Sequence, residues 1–223
     1  MKIPRQRKRI KVKFENCKTA RLHDCKTARQ KKRLMNDISL ILKALEFAAV
    51  RHRKQFRKGA DRSPYINHPI QVANLLASET GDKDPVLIAA AILHDVVEDT
   101  VDGKKEKKKL ISQIREVFGE DVLSVTLEVT DDKSLSKKQR KRLQVEHAPF
   151  LSVRAKKLKL ADKIVNVRDI TNNPPVTWTI GRTRKYLDWS EKVVAGLRGT
   201  DNNLEAIFDK TLEAGWDKYC KIK

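Results

Sequence analysis

The sequence predicts an all-α domain built as a compact set of helices around one buried central helix. Three observations carry this expectation. Apolar residues recur at i, i+3, i+4 spacing through most of the chain after Met35. Alternating β-type runs are missing, and aromatic residues, which strands favour, make up only 5% of the 223 residues. Most helical stretches are also bounded by a recognisable cap or breaker.

The elements follow in order. Over 36–56, Ile38, Ile41, Leu42, Leu45, Ala48 and Ala49 form one apolar face, with Asp37 or Ser39 placed to cap its start. "GADRSPYINHP" then breaks the helix with Gly, Ser and Pro. A second helix over 69–80 carries Pro69 in its first turn. A third, "DPVLIAAAILHDVVED" over 84–99, is apolar nearly all round and is the expected central helix. A lysine-rich loop at 103–109 precedes two helices, "LISQIREVFG", ended by Gly119, and "EDVLSVTLEVTDD". "SKKQRKRLQVEHA" is a basic amphipathic segment, and "RAKKLKLADKIVNVRDIT" a helix stopped by Asn172–Pro175. Helices over about 180–196 and 201–218 close the chain.

Residues 1–34 differ in kind. Residues 1–33 hold 14 Lys/Arg against two acids, Glu15 and Asp24, so this stretch supplies more than half of the net charge of +20. Its low hydrophobicity predicts a disordered or weakly helical arm, separate from a folded domain over 35–223. Four readings of the arm stand: a nucleic-acid or acidic-membrane binder, an address signal, an extension without function, or a segment ahead of a true start at Met35; the last two are favoured. No apolar run approaches the roughly 18 residues of a membrane span. Three scattered cysteines (Cys17, Cys25, Cys220) make no disulfide framework or CxxC knuckle. A soluble cytoplasmic protein is expected.

The chemistry concentrates in "AAAILHDVVEDT" (89–100). Helical spacing stacks His94 on Glu98 and Asp95 on Asp99. Three carboxylates ending the most apolar helix repel one another, and burial makes each costly. A divalent cation would relieve the repulsion. His68, stiffened by Pro64 and Pro69, and Asp162, set in the apolar stripe of Leu158, Leu160, Ala161, Ile164 and Val165, are the further donors. Two His and two carboxylates suit Mn²⁺, Fe²⁺ or Zn²⁺.

The order His68 … His94-Asp95 … Asp162 resembles the H…HD…D signature of the HD-domain phosphohydrolases. "KGADRSPYINHPIQVANLL", "AAILHDVVEDT" and "LKLADKIVNVRDI" resemble, more narrowly, the (p)ppGpp hydrolase domain of the RelA/SpoT family. "EVTDDKSLSKKQRKRLQVEHAP" and "RKYLDWSEKVVAGLRGT" are similar to its stand-alone small alarmone hydrolases. The resemblance covers residues 36–210 and implies an HD-domain fold and hydrolysis of the 3′-diphosphate of (p)ppGpp. It implies His68, His94, Asp95 and Asp162 as ligands of one Mn²⁺, and Glu98 and Asp99 as the acid/base pair. It implies Arg57 and Lys58 beside the nucleotide base, Asn166 at the nucleoside, and Arg182 and Tyr186 at the phosphate and ribose end. Many bifunctional members have His where this chain has Val165, which fits the stand-alone type. Related alternatives are an NADPH 2′-phosphatase or another HD nucleotidase; a basic nucleic-acid-binding protein without catalysis is the alternative of another class. The expected partner is a small nucleotide, with no membrane and with nucleic acid reached only through residues 1–34. His52 and His147 are expected at the surface or behind the ligands, and Trp178, Trp189 and Trp216 in packing roles.

Overall fold

The computed structural model describes residues 32–81 and 83–220. The chain divides into two units, Met1–Leu40 and Ile41–Lys223. The expectations for the arm fall outside the described residues, except for 32–34, which are helical.

Helix α1 runs over 32–52, so it is already under way at Asp37 and Ser39, and neither caps it. Its inward face in the second unit matches the predicted one only in part. Ala44, Ala48 and His52 are buried, whereas Leu42 is 58% exposed. Two alanines and a histidine point inward there, where hydropathy alone favours the larger leucine. A loop over 53–66 follows, pinched by an antiparallel bridge between Phe56 and Pro64. Gly59 in this loop has no room for a side chain, because a Cβ would lie 2.3 Å from the Asn173 amide nitrogen.

The remaining helices are α2 (Asn67–Glu79), α3 (Pro85–Leu93), α4 (Val96–Asp99), α5 (Lys104–Phe118), α6 (Glu120–Val129), α7 (Lys137–His147), α8 (Val153–Asn172), α9 (Ile180–Ala195) and α10 (Asn202–Cys220). The lysine-rich stretch predicted as a loop is the first turn and a half of α5, whose inward residues Leu110, Ile114 and Phe118 keep helical spacing. The caps are as the residue types require. Asp84 accepts from the Val86 and Leu87 amides ahead of Pro85, Ser136 forms a capping box with Gln139, and Ser152 and Thr179 cap α8 and α9. Gly119, at φ 86°, turns α5 into α6 in a conformation that side chains resist.

Helix α3 is the buried centre, as predicted, with Leu87 through Leu93 all buried. It packs on α2, α6 and α8. Helix α8, 20 residues long, packs against α10, α2, α6, α9 and α3 and buries twelve of its own. The site lies where α2, the end of α3 and α8 meet. Among the described residues no strand forms, and no helix is long and apolar enough to cross a membrane.

Candidate metal centre and nucleotide cleft

The predicted third helix is broken where its chemistry lies. His94 and Asp95 form a turn between α3 and α4. The His94 Nδ1–H donates to the Ala91 carbonyl at 2.7 Å, the acceptor that the Asp95 amide would use in a continuous helix. Adjacent residues on a straight helix diverge by about 100°, and the turn lets both converge. The same bond fixes the tautomer and leaves His94 Nε2 facing the cluster.

Around that atom the structure gathers the four predicted ligands. His68, from the first turn of α2, His94, and Asp162, from α8, each bring a donor atom to within 4.8 Å of the others. Asp95 Oδ2 lies 3.0 Å from His94 Nε2 and 3.7 Å from His68 Nε2. Each carboxylate is held from behind. Tyr65 donates its hydroxyl to Asp95 Oδ2 at 2.6 Å. Asn166 donates to Asp162 Oδ1 at 2.6 Å, and the buried Lys163 ammonium stands 3.0 Å from Asp162 Oδ2. His52, buried rather than on the surface, stacks on Tyr65 with ring centroids 5.0 Å apart.

The residues fit a divalent cation. Buried His94 Nε2 has no hydrogen-bond partner. The cluster also demands positive charge: burial opposes charging His94, yet Asp95 and Asp162 beside it push its pKa up to about 9. Against the cost of their own burial, Asp95 is held well below the carboxylate range by His94 and His68, and Asp162 by Lys163 and His68. A cation bound by two imidazoles and two carboxylates would supply that charge without protonating a ligand.

One turn on, Glu98 and Asp99 face the same chamber of about 180 Å³. Glu98 Oε2 accepts from the Asp131 amide at 3.1 Å, and Arg140 reaches Oε1 at 3.4 Å. Burial, reinforced by Asp131 and Asp95, pushes the Glu98 pKa up to about 7. Asp99 is ion-paired with Lys133.

Beside the chamber, and sharing Tyr65, His68, Asp99 and Asn166 with it, lies a cleft of about 660 Å³. Arg57, Lys58 and Tyr186 are in its wall, as expected, and so is Trp178, which sequence assigned to packing. Arg57 is tied to Asp169 and, at 3.2 Å, to Asn166. Arg182 is set apart from these: exposed, one turn before Tyr186, with its guanidinium 4.6 Å over the Trp178 ring. Near it lies the predicted basic segment, α7, none of whose residues is buried. Lys141 caps the Trp189 ring at 4.2 Å, and burial together with Lys137, Lys163 and Arg182 pushes its pKa down to about 8.

Sequence reasoning missed Tyr65, Asp131, Arg140 and Lys163 as site residues. Tyr65 and Lys163 had a signal, since each sits within three residues of a ligand in a motif already singled out. Arg140 had none, because nothing local distinguishes it from its basic neighbours.

Comparison with known proteins agrees with this geometry. The HD domain family pattern matches residues 44–185. A guanosine-3′,5′-bis(diphosphate) 3′-pyrophosphohydrolase, MESH1, from Xenopus tropicalis is 46% identical over 176 residues, covering 79% of this chain and 94% of that one. Its Homo sapiens counterpart is 45% identical over 170 residues, covering 76% and 91%. A solved structure, reported as "A metazoan ortholog of SpoT hydrolyzes ppGpp and plays a role in starvation responses", superposes with a TM-score of 0.73 at 44% identity, over 78% of this chain and 94% of that one.

Proposed function

Because this chain belongs to the HD-domain family, within its stand-alone (p)ppGpp hydrolase branch, we propose that it hydrolyses the 3′-diphosphate of ppGpp and pppGpp to GDP or GTP plus pyrophosphate. The observation that carries the reading is the junction of a buried His/Asp cluster with a cation-bearing cleft sized for a nucleotide. In the reaction, water oxygen bonds to the phosphorus attached to O3′. The O3′–P bond breaks, and both phosphates leave together while O3′ takes a proton.

His68, His94, Asp95 and Asp162 hold one divalent ion, Mn²⁺ in this reading. When bound, that ion supplies a positive charge that screens the phosphate oxygens and acidifies water. Tyr65, Asn166 and Lys163 orient the two carboxylate ligands. Glu98 and Asp99 orient and deprotonate the attacking water and return a proton to O3′. A carboxylate pushed up to about 7 suits both duties near neutral pH. Arg57 and Lys58 flank the base and Asn166 the nucleoside. Arg182 and Tyr186, with Lys137 and Lys141 beside them, take the ribose and phosphate end. The mutual repulsion of these cations is relieved by an anion. Residues 1–34 stay outside the catalytic domain 35–223 in this reading. The protein works in the cytoplasm, whose reducing conditions suit a free thiol such as that of Cys220.

Purified protein with Mn²⁺ is challenged side by side with ppGpp, NADPH and a deoxynucleotide. Pyrophosphate release from ppGpp well above phosphate release from the others is expected, with or without residues 1–34. Dominant release of phosphate from NADPH would replace the substrate, and turnover of none would overturn the hydrolase reading.

A further inference from the structure

Lys159 is a buried cation that neither the cation site nor the cleft explains. It lies three residues before Asp162 on α8 and is only 8% exposed. Its Nζ donates to the Val129 carbonyl at 3.4 Å and, among the described residues, it forms no ion pair. Lys163, one turn on, differs: its ammonium is paired with Asp162. A buried ammonium with one long hydrogen bond is costly. Burial, foremost, and the nearby Lys163 disfavour its charge and outweigh the support of the Asp162, Asp131 and Glu98 carboxylates, none of which is within ion-pair distance of it. An anion at Lys159 reverses that balance.

The space for one is present. Lys159 lies in the wall between the chamber of about 180 Å³ that holds the His/Asp cluster and a second cavity of about 200 Å³ behind it. Val129, Asp131 and Gln144 belong to the same shared wall. Two further buried polar atoms there, Arg140 Nε and Gln144 Oε1, have no partner. The Arg140 Nε–H and the remaining Lys159 N–H groups are therefore donors without acceptors among the described residues.

Resting on the hydrolase reading above, we infer that Lys159, with Arg140 beside it, forms a subsite for the distal phosphate of the 3′-diphosphate. No bond is made or broken at that phosphorus. The subsite selects a 3′-diphosphate over a 3′-monophosphate and seats the outer half of the departing pyrophosphate. Lys159 is a specificity device that does not act on water, whereas Arg140 also reaches Glu98 through its Nη1.

The test compares ppGpp with guanosine 5′-diphosphate 3′-monophosphate on the full chain loaded with Mn²⁺, reading pyrophosphate and phosphate release. The wild type is expected to favour the diphosphate in kcat/KM by at least about tenfold, as a charge-assisted contact implies. In Lys159→Met that preference should fall by about 10- to 100-fold, with manganese content per chain unchanged and part of the preference restored in Lys159→Arg. A wild-type preference at or below unity overturns the inference without any variant, so a misfolded Lys159→Met does not shield it. So does an unchanged preference in a folded Lys159→Met, or a parallel loss on both substrates with loss of manganese. If the wild type turns over neither guanosine nucleotide, the hydrolase reading falls and the subsite falls with it. If it turns over both without preference, only the subsite falls.

Discussion

Helices α3 and α7 flank the same site and could hardly differ more. Helix α3 has no charged residue and buries seven consecutive side chains, ending in the turn that carries His94 and Asp95. Helix α7 carries five Lys/Arg and has no residue that is buried as a whole. It is held by its capping box, by the Trp189 Nε1–H donated to the Lys141 carbonyl at 3.0 Å, and by ion pairs such as Arg140–Glu98. The hydrophobic effect fixes the end of α3 against packed neighbours, so the ligands are placed before any cation or substrate arrives. The α7 wall rests on surface-type contacts worth far less each. The acidic half of the site is therefore rigid and the basic half adaptable, and substitutions on the two sides should fail differently.

On the rigid side, Asp95→Ala removes a proposed ligand. Turnover should be abolished and manganese lost, while far-UV circular dichroism stays native. Retained activity with bound manganese would break the comparison at its root. Glu98→Gln leaves the proposed ligands in place and removes the proposed base, so kcat should fall by about 10²–10⁴-fold at unchanged manganese content. Tyr65→Phe deletes the hydroxyl that holds Asp95. It should weaken manganese binding by roughly 10–100-fold, measured by titration against a chelator, with turnover recovered at high manganese.

The adaptable side should give the smallest effect. Lys141→Met is expected to raise KM a few-fold and leave kcat and manganese content alone. The wild-type KM should also climb as pH rises through about 8, where Lys141 loses its charge, and the variant should lack that rise. The stability change has the opposite sign. Between about 8 and the ordinary 10.5, the unfolded chain holds a proton that folded Lys141 has released, so folding stability rises with pH across that window. Denaturant midpoints at pH 8 and 10 should show a smaller rise in Lys141→Met. A loss of kcat as large as that of Glu98→Gln would place α7 on the rigid side.

Local regularities made much of this legible in the sequence. Helical spacing and caps gave most helices, and the apolar run gave the centre, because periodicity and capping act within a few residues. The motif order gave His68, His94, Asp95 and Asp162, which the fold gathers within a few ångströms. The inward face of α1 was only partly legible, because which side of a helix is buried depends on how closely others approach. The break at His94–Asp95 was hidden for a related reason: a side chain competes with the backbone for the Ala91 carbonyl only in that packed setting. Charge was the least legible of all. Lys159 and Lys163 are both lysines one helical turn apart. Only the tertiary structure pairs one with a carboxylate and leaves the other buried with no ion pair among the described residues, because desolvation and ion pairing depend on residues distant in the chain.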